Sequence, residues 1–404
     1  MKQLGITLLL FIAVTLHGNA QTAEEILHQK LDSISSQKEL VGFGVSVFST
    51  DAILFQNGYG YADKENNKRY TVNTVQNIGS ISKTFVGVSL MKAVELKLFS
   101  MGTPINDILP FKVIHPKHPE KQITVQHLAT HTSGIFDTDD SYDKSYVLVN
   151  PEKINPTIYD KNTAKYMKTL LANRPMELGA FLKDYFTSDG SMYKKKNFLK
   201  TFPGERYNYS NMGAALAGYC VEVASGKSFP EFTKEHIFDK IDIEDMGWSY
   251  GSINEDNHAQ LYSDNGKVFP KYSINSYPDG GLRTSVLGLT KYAQEMISCY
   301  YGKGDILKQD LSKEMMKGQL SKEQYNTKEE LKSNYGYFWE HNRNNIIGHN
   351  GGDPGIVTLM YYYEDIGLGG IFFTNSNGID NPVAAKLIQE SWDAIRVYQK
   401  EIAK

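Results

Sequence analysis

The feature that most constrains this chain is that its strand-like stretches lie near its two ends. "VGFGVSVF" (41–48) and "AILFQNGYGYA" (52–62) are joined by Ser49-Thr50-Asp51 and read as an antiparallel hairpin. Strand patterns return only far downstream, in "NYGYFWEH", "NNIIGH", "IVTLMYYYE" and "LGGIFFTNS". Thr22-Ala23-Glu24-Glu25 reads as a capping box, after which Leu27, Leu31 and Ile34 share one helical face. Asp380 and Pro382 start a last helix running almost to Lys404. Between these ends helical patterns dominate, over 80–98 and from about 124 to 238, and Thr284-Ser285 caps a helix over 286–301. The order predicts an α/β fold of the α+β type. One antiparallel sheet is built from both ends and flanked by the terminal helices, with an all-helical lobe inserted. Residues 21–79 and 250–404 form the α/β lobe and 80–249 the helical one, together a single domain with a cleft between lobes.

Charge narrows the partners. The net charge is −3 and charged residues make up 22% of the chain, with no basic stripe, so nucleic acid is not an expected partner. Tyr193-Lys194-Lys195-Lys196 reads as a solvated face, while the 26 tyrosines suit a binding cleft. Residues 1–20 read as a signal peptide. Lys2 supplies its positive start, Leu4–Leu16 an apolar stretch too short to span a bilayer, and Gly18-Asn19-Ala20 a cleavage site before Gln21. No cysteine follows that could carry a lipid, so the expectation is an exported chain, periplasmic or secreted, without a membrane span. Cys220 sits in an apolar helical run and reads as a buried thiol; whether it pairs with Cys299 stays open.

Three local patterns carry chemistry. Ser-x-x-Lys occurs five times, starting at Ser35, Ser80, Ser89, Ser141 and Ser191. Only Ser80 follows a strand ("TVQNI") and a glycine and then opens a strongly apolar helix. There Ser80 sits by free backbone N–H groups, and Lys83 lies one turn away on the same face. The plain alternative is a capping serine with an exposed lysine. Tyr209-Ser210-Asn211 is the only Tyr-x-Asn and also precedes a helix. The alternative there is a core tyrosine and an asparagine cap. His349-Asn350-Gly351 is the only His-x-Gly, and its glycines let a strand edge approach a ligand closely; the alternative is a glycine-rich hairpin with a surface histidine.

In this order the three motifs resemble those of the penicillin-recognising serine hydrolases: class C β-lactamases, family VIII carboxylesterases, D-aminopeptidases and low-molecular-mass D,D-peptidases. "ITVQHLATHTSGI" (123–135), "FPGERYNYSN" and "YPDGGLRTSVLGLTKY" (277–292) resemble further blocks of that family, and the likeness spans roughly 24–400. The resemblance implies a β-lactamase/D,D-peptidase-like fold and a serine hydrolase that needs no cofactor and no metal. Ser80 is implied as the acylated nucleophile, with Lys83 and Tyr209 sharing general-base and general-acid work. Asn211 is implied to touch the substrate amide, and His349 and Gly351 to line the binding site. The N–H groups of Ser80 and Gly352 are implied as the oxyanion hole. Expected substrates are small esters, amides or peptidoglycan-derived fragments. The alternatives are a class C-like β-lactamase and a protein that binds acyl or peptidoglycan fragments without turning them over.

Two departures from the family pattern bear on substrate. His349 stands where class C β-lactamases carry lysine; with an ordinary pKa near 6.5 it is mostly neutral at pH 7.5 and weakens carboxylate recognition, recovering as pH falls toward 6. About seventy residues separate His131 from Pro203, longer than usual, and Arg174 and Lys194 to Lys196 are the cations this block could bring to the cleft. Other patterns rank lower. His127 and His131 have zinc-like spacing without a following glutamate or a third ligand. His115 and His118 sit near Pro116 and Pro119 and read as surface loop, and "HNGGDPG" lacks the ending of a phosphate loop.

Overall fold

A strand covered on both faces reads as a continuous buried run, and Gly42–Phe48 is buried at every position. It is an inner strand of a seven-stranded antiparallel sheet, in the order Glu340–His341, Ile346–Asp353, Ile356–Tyr363, Leu368–Thr374, Gly42–Phe48, Ile53–Asp63, Lys68–Arg69. The N-terminal hairpin and the C-terminal strands therefore meet in one sheet, with Phe43 opposite Thr374. The computed structural model describes residues 21–404 apart from 244, 265, 326–332, 343 and 379–380. The leader read over 1–20 and the helix start read at Asp380 lie outside the described residues.

The terminal helices cover one face of the sheet. Thr22 and Glu25 complete the capping box of Ala23–Ser36, which buries Leu27, Leu31 and Ile34. Asn381 caps Pro382–Ile402 through the N–H groups of Val383 and Ala384. These helices share a core with Phe43, Val45, Val47 and Phe372. Ser285 caps Val286–Tyr300, whose Val286, Leu289 and Tyr292 belong to the larger core shared with the helical insertion.

Local readings differ from the structure in three places. The helix expected over 80–98 is a 3-10 turn, Gly79–Ile81, followed by the α-helix Ser82–Glu95; Lys97, at φ +62°, lies just beyond its end. "NYGYFWEH" is not a full strand. The Gly336 N–H donates to the Trp339 carbonyl and Phe338 has φ +59°, so the chain turns there and tucks Tyr337, Phe338 and Trp339 into the core. Only Glu340–His341 pairs with the next strand of the sheet, and Tyr335 bridges back to Glu340. The helical block also carries a short strand, Tyr146–Leu148, paired with Tyr272–Ile274. Cys220 and Cys299 are both buried and both free.

Candidate active site

The strand Val75–Asn77 pairs with Arg283–Ser285 and delivers the chain to Gly79, whose φ of +52° turns it into the helix. Neither that 3-10 turn nor the helix Ser82–Glu95 has a side-chain cap, so Ser80 is not a capping serine. Its Oγ instead accepts a hydrogen bond from Lys83 Nζ at 3.0 Å. Lys83 is fully buried, and its Nζ also donates to the Asp279 carbonyl at 2.6 Å. Ser80 itself is half-buried.

Tyr209 reaches the same place from the start of the helix Asn211–Ser225. Lys83 Nζ lies 5.0 Å from the centroid of its ring. The cap of this helix is Ser210, not Asn211, and Ser210 Oγ accepts from the Gly213 N–H. Asn211 is half-exposed, and its side chain makes no hydrogen bond among the described residues. Two neighbours hold Tyr209 in place: Asp137, which carries no local sequence signal, and His131 of the 123–135 block. Asp137 receives the Ser210 hydroxyl at 2.9 Å and the N–H groups of Asn211 and Met212, anchoring the helix start. Burial raises its pKa to about 6 against those bonds. His131, at φ +56°, packs tilted against Tyr209 with ring centroids 4.4 Å apart, and its Nδ1 accepts from the Ser210 N–H. Burial, helped by Lys83 and His349, holds His131 well below its ordinary pKa.

The third wall is the strand Ile346–Asp353. A Cβ on Gly351 would stand 2.1 Å from the Ile78 carbonyl, and one on Gly79 would stand 3.0 Å from the Gly352 nitrogen. These glycines are what let the strand close on the turn that carries Ser80. Thr358 Oγ1 ties the two together, donating to the Ile78 carbonyl at 2.8 Å. The Gly352 amide is thus beside the Ser80 turn. His349 lies in this wall, 4% exposed, with its ring 6.3 Å from that of Tyr209. Its Nδ1 donates to the Asn350 carbonyl and its Nε2 is buried with no hydrogen-bond partner among the described residues. Burial first, then the Lys83 charge, lowers its pKa to about 4. The expectation of an ordinary, partly chargeable histidine is therefore corrected: His349 stays neutral at pH 6 as well as at pH 7.5.

Two further carboxyls converge on Lys83 and were not singled out from sequence. Asp279, in the "YPDGG" turn, is fully buried and its pKa is raised to about 8 by desolvation, against the pull of Lys83. Asp353, next to Gly352, is buried and raised to about 6, again by desolvation. Three of the four cations proposed for the long insertion are engaged elsewhere. Arg174 donates to the Leu171 and Asn173 carbonyls of its own turn, and Lys194 and Lys196 pair with Asp140. His115 is not a surface residue. It is buried against Phe198, with its pKa lowered to about 4 by burial and by His118. His127 and His131 do not share a centre: the first serves the Thr124 N–H, the second Ser210.

Comparison with known proteins agrees with this geometry. The profile described as Beta-lactamase matches residues 23–391. The human mitochondrial serine beta-lactamase-like protein LACTB is 27% identical over 330 residues, covering 69% of this chain and 57% of that protein. Penicillin-binding protein 4* of Bacillus subtilis (strain 168) is 22% identical, over 78% of this chain and 63% of its own length. The chain thus spans about three-fifths of these curated relatives. Among solved structures, the D-amino acid amidase of Ochrobactrum anthropi SV3 superposes with a TM-score of 0.65 at 18% identity, covering 92% of this chain and 98% of the amidase. With the profile matching nearly all of 21–404, and the sheet, inserted helices and Ser80 turn arranged as described, the chain belongs to the Beta-lactamase family.

Proposed function

We propose that the chain is an exported serine hydrolase that cleaves small esters or short D-amino-acid amides through an acyl-Ser80 intermediate. The observation that carries this reading is the Lys83–Ser80 hydrogen bond, 3.0 Å long, at a helix start where the serine caps nothing. Ser80 Oγ attacks the scissile carbonyl as Lys83 and Tyr209, acting together, take its proton. The Ser80 and Gly352 N–H groups receive the developing oxyanion. The proton passes to the leaving alcohol or amine, and an acyl-serine ester remains. Water then attacks that ester, giving up one proton to the same pair, and Ser80 is reprotonated as the acid leaves.

Position 349 favours acyl substrates without a carboxylate over β-lactams. A lysine there would offer a permanent cation to a substrate carboxylate, whereas the buried His349 is neutral. Losing one charge-assisted hydrogen bond costs about ten- to a hundredfold in efficiency. The D-amino acid amidase that shares this fold supports the amide side of the reading. A chain that only bound such fragments would have no use for Ser80, Lys83 and Tyr209 together. Export rests on the leader pattern of residues 1–20. The test is a panel of p-nitrophenyl acetate and butyrate, nitrocefin and D-alanyl-D-alanine peptides with wild type and Ser80→Ala. Ester or amide turnover well above nitrocefin, lost in Ser80→Ala, is expected. Nitrocefin matching the best ester in kcat/KM would refute the preference.

A further inference from the structure

The strand Ile346–Asp353 pairs with Glu340–His341 only as far as Gly348, so from His349 onward its outer edge has no neighbouring strand among the described residues. Its last residues and the long insertion border a common cavity of about 690 Å³, which leaves the two walls to be joined by polar contacts. The first is the Tyr146 hydroxyl, which donates to Asp353 Oδ1 at 2.5 Å across 207 positions of sequence. It is the one hydrogen bond that the Asp353 side chain makes among the described residues. Oδ2 is buried without such a partner, and a Cβ on Gly280 would stand 3.3 Å from it. The second is the Tyr272 hydroxyl, which donates to the Pro354 carbonyl at 3.2 Å. Both tyrosines are buried, and their rings meet edge to face with centroids 5.6 Å apart. Tyr146 is itself fixed, because its backbone pairs with Ile274 and its carbonyl accepts from the Asn173 side chain.

We infer that Tyr146 is a positioning residue for the reaction: through Asp353 it holds the Gly352 N–H where the oxyanion forms, so that the long insertion governs how fast the acyl group transfers rather than which substrate binds. Asp353 is bonded directly to Gly352, so a shift of the one is passed to the amide of the other. Gly351 and Gly352 have no side chains to wedge them in place, and a hydrogen bond weakens steeply once its angle opens. A buried carboxylate that loses its single donor is costly, so without the Tyr146 hydroxyl the strand end relaxes toward another partner. The same carboxylate lies against Gly280, the residue after the Asp279 carbonyl that accepts from Lys83. The link therefore also braces the oxyanion donor against the turn that holds the base.

This rests on the serine-hydrolase reading, and the experiment separates the two. Tyr146→Phe keeps the ring and removes the donor. On p-nitrophenyl acetate its kcat should fall about ten- to a hundredfold, less than outright loss of an oxyanion donor, while KM stays within about threefold. Phenylboronic acid, whose tetrahedral adduct on Ser80 sets an oxygen in the oxyanion hole, should bind more weakly by the same factor as kcat/KM falls. Asp353→Ala should lose as much kcat, and Asp353→Asn, which keeps an acceptor for Tyr146, should recover most of that loss. Tyr146→Phe combined with Asp353→Ala should be no worse than the worse single variant. Wild-type kcat in Tyr146→Phe overturns the inference, as does boronate binding that does not follow kcat/KM, or equal losses in Asp353→Asn and Asp353→Ala. That last comparison decides the matter if Tyr146→Phe does not fold. A wild type that neither hydrolyses the ester nor binds the boronate, or turnover surviving in Ser80→Ala, would instead defeat the serine-hydrolase reading.

Discussion

At Ser80 a weak motif becomes specific through its surroundings. Five serines have a lysine three residues on, but Ser80 is the one whose hydroxyl meets that lysine at a turn set by a left-handed glycine. Because Lys83 touches both Ser80 and the face of Tyr209, the two should work as a unit. Lys83→Ala with Tyr209→Phe should then lose little more kcat than the worse single variant. Fully additive losses would argue for independent roles. His349 makes a second residue-scale prediction. Since burial lowers its pKa to about 4, nitrocefin turnover relative to a neutral ester should stay flat between pH 7.5 and 6. His349→Lys should raise it about tenfold or more at pH 7.5. A rise in the wild type on acidification to pH 6 would mean that the imidazole is not held neutral.

Among the elements, the strand Ile346–Asp353 and the Ser80 turn depend on glycine contacts. Gly351→Ala drives a Cβ into the Ile78 carbonyl, which neither strand nor turn can relieve by a side-chain rotation. We expect a stability loss of about 1–3 kcal/mol in denaturant titration and a larger fall in kcat than in substrate affinity, because the Gly352 amide moves with it. Unchanged kcat would show that Gly352 does not serve the oxyanion. Elements of this kind were legible in the sequence where their signals are local: the Thr22–Glu25 box, the Leu27, Leu31, Ile34 face, the Ser285 cap and the Ser80 helix. What escaped is long-range. Asp137 meets its partners 73 to 75 positions away, and nothing around it marks a helix anchor. His349 read as chargeable because burial is set by neighbours that its own stretch does not contain. His115 was misplaced for the same reason, since Phe198 covers it from the far side of the insertion.

For the molecule as a whole, the chain ends close one sheet while the insertion walls a cavity beside the end of the strand Ile346–Asp353, and buried carboxyls gather round one buried lysine. That gathering has a pH signature. Asp279 has a folded pKa of about 8, raised from 3.8 by desolvation. Folding therefore favours its protonated form, and stability falls as pH rises through the window between those values. From pH 7 to 8.5, above the ordinary histidine range, wild-type Tm should decline, and Asp279→Asn should flatten that decline. An identical slope in the variant would place the titrating group elsewhere.

The most direct measurement is to trap the acyl-enzyme. Wild type incubated with a fluorophosphonate or a fluorescent penicillin, then digested and mapped by mass spectrometry, should carry the label on Ser80, and Ser80→Ala should carry none while keeping the wild-type circular dichroism. Label on Ser35, Ser89, Ser141 or Ser191, or ester turnover near the wild-type level in Ser80→Ala, would contradict the account.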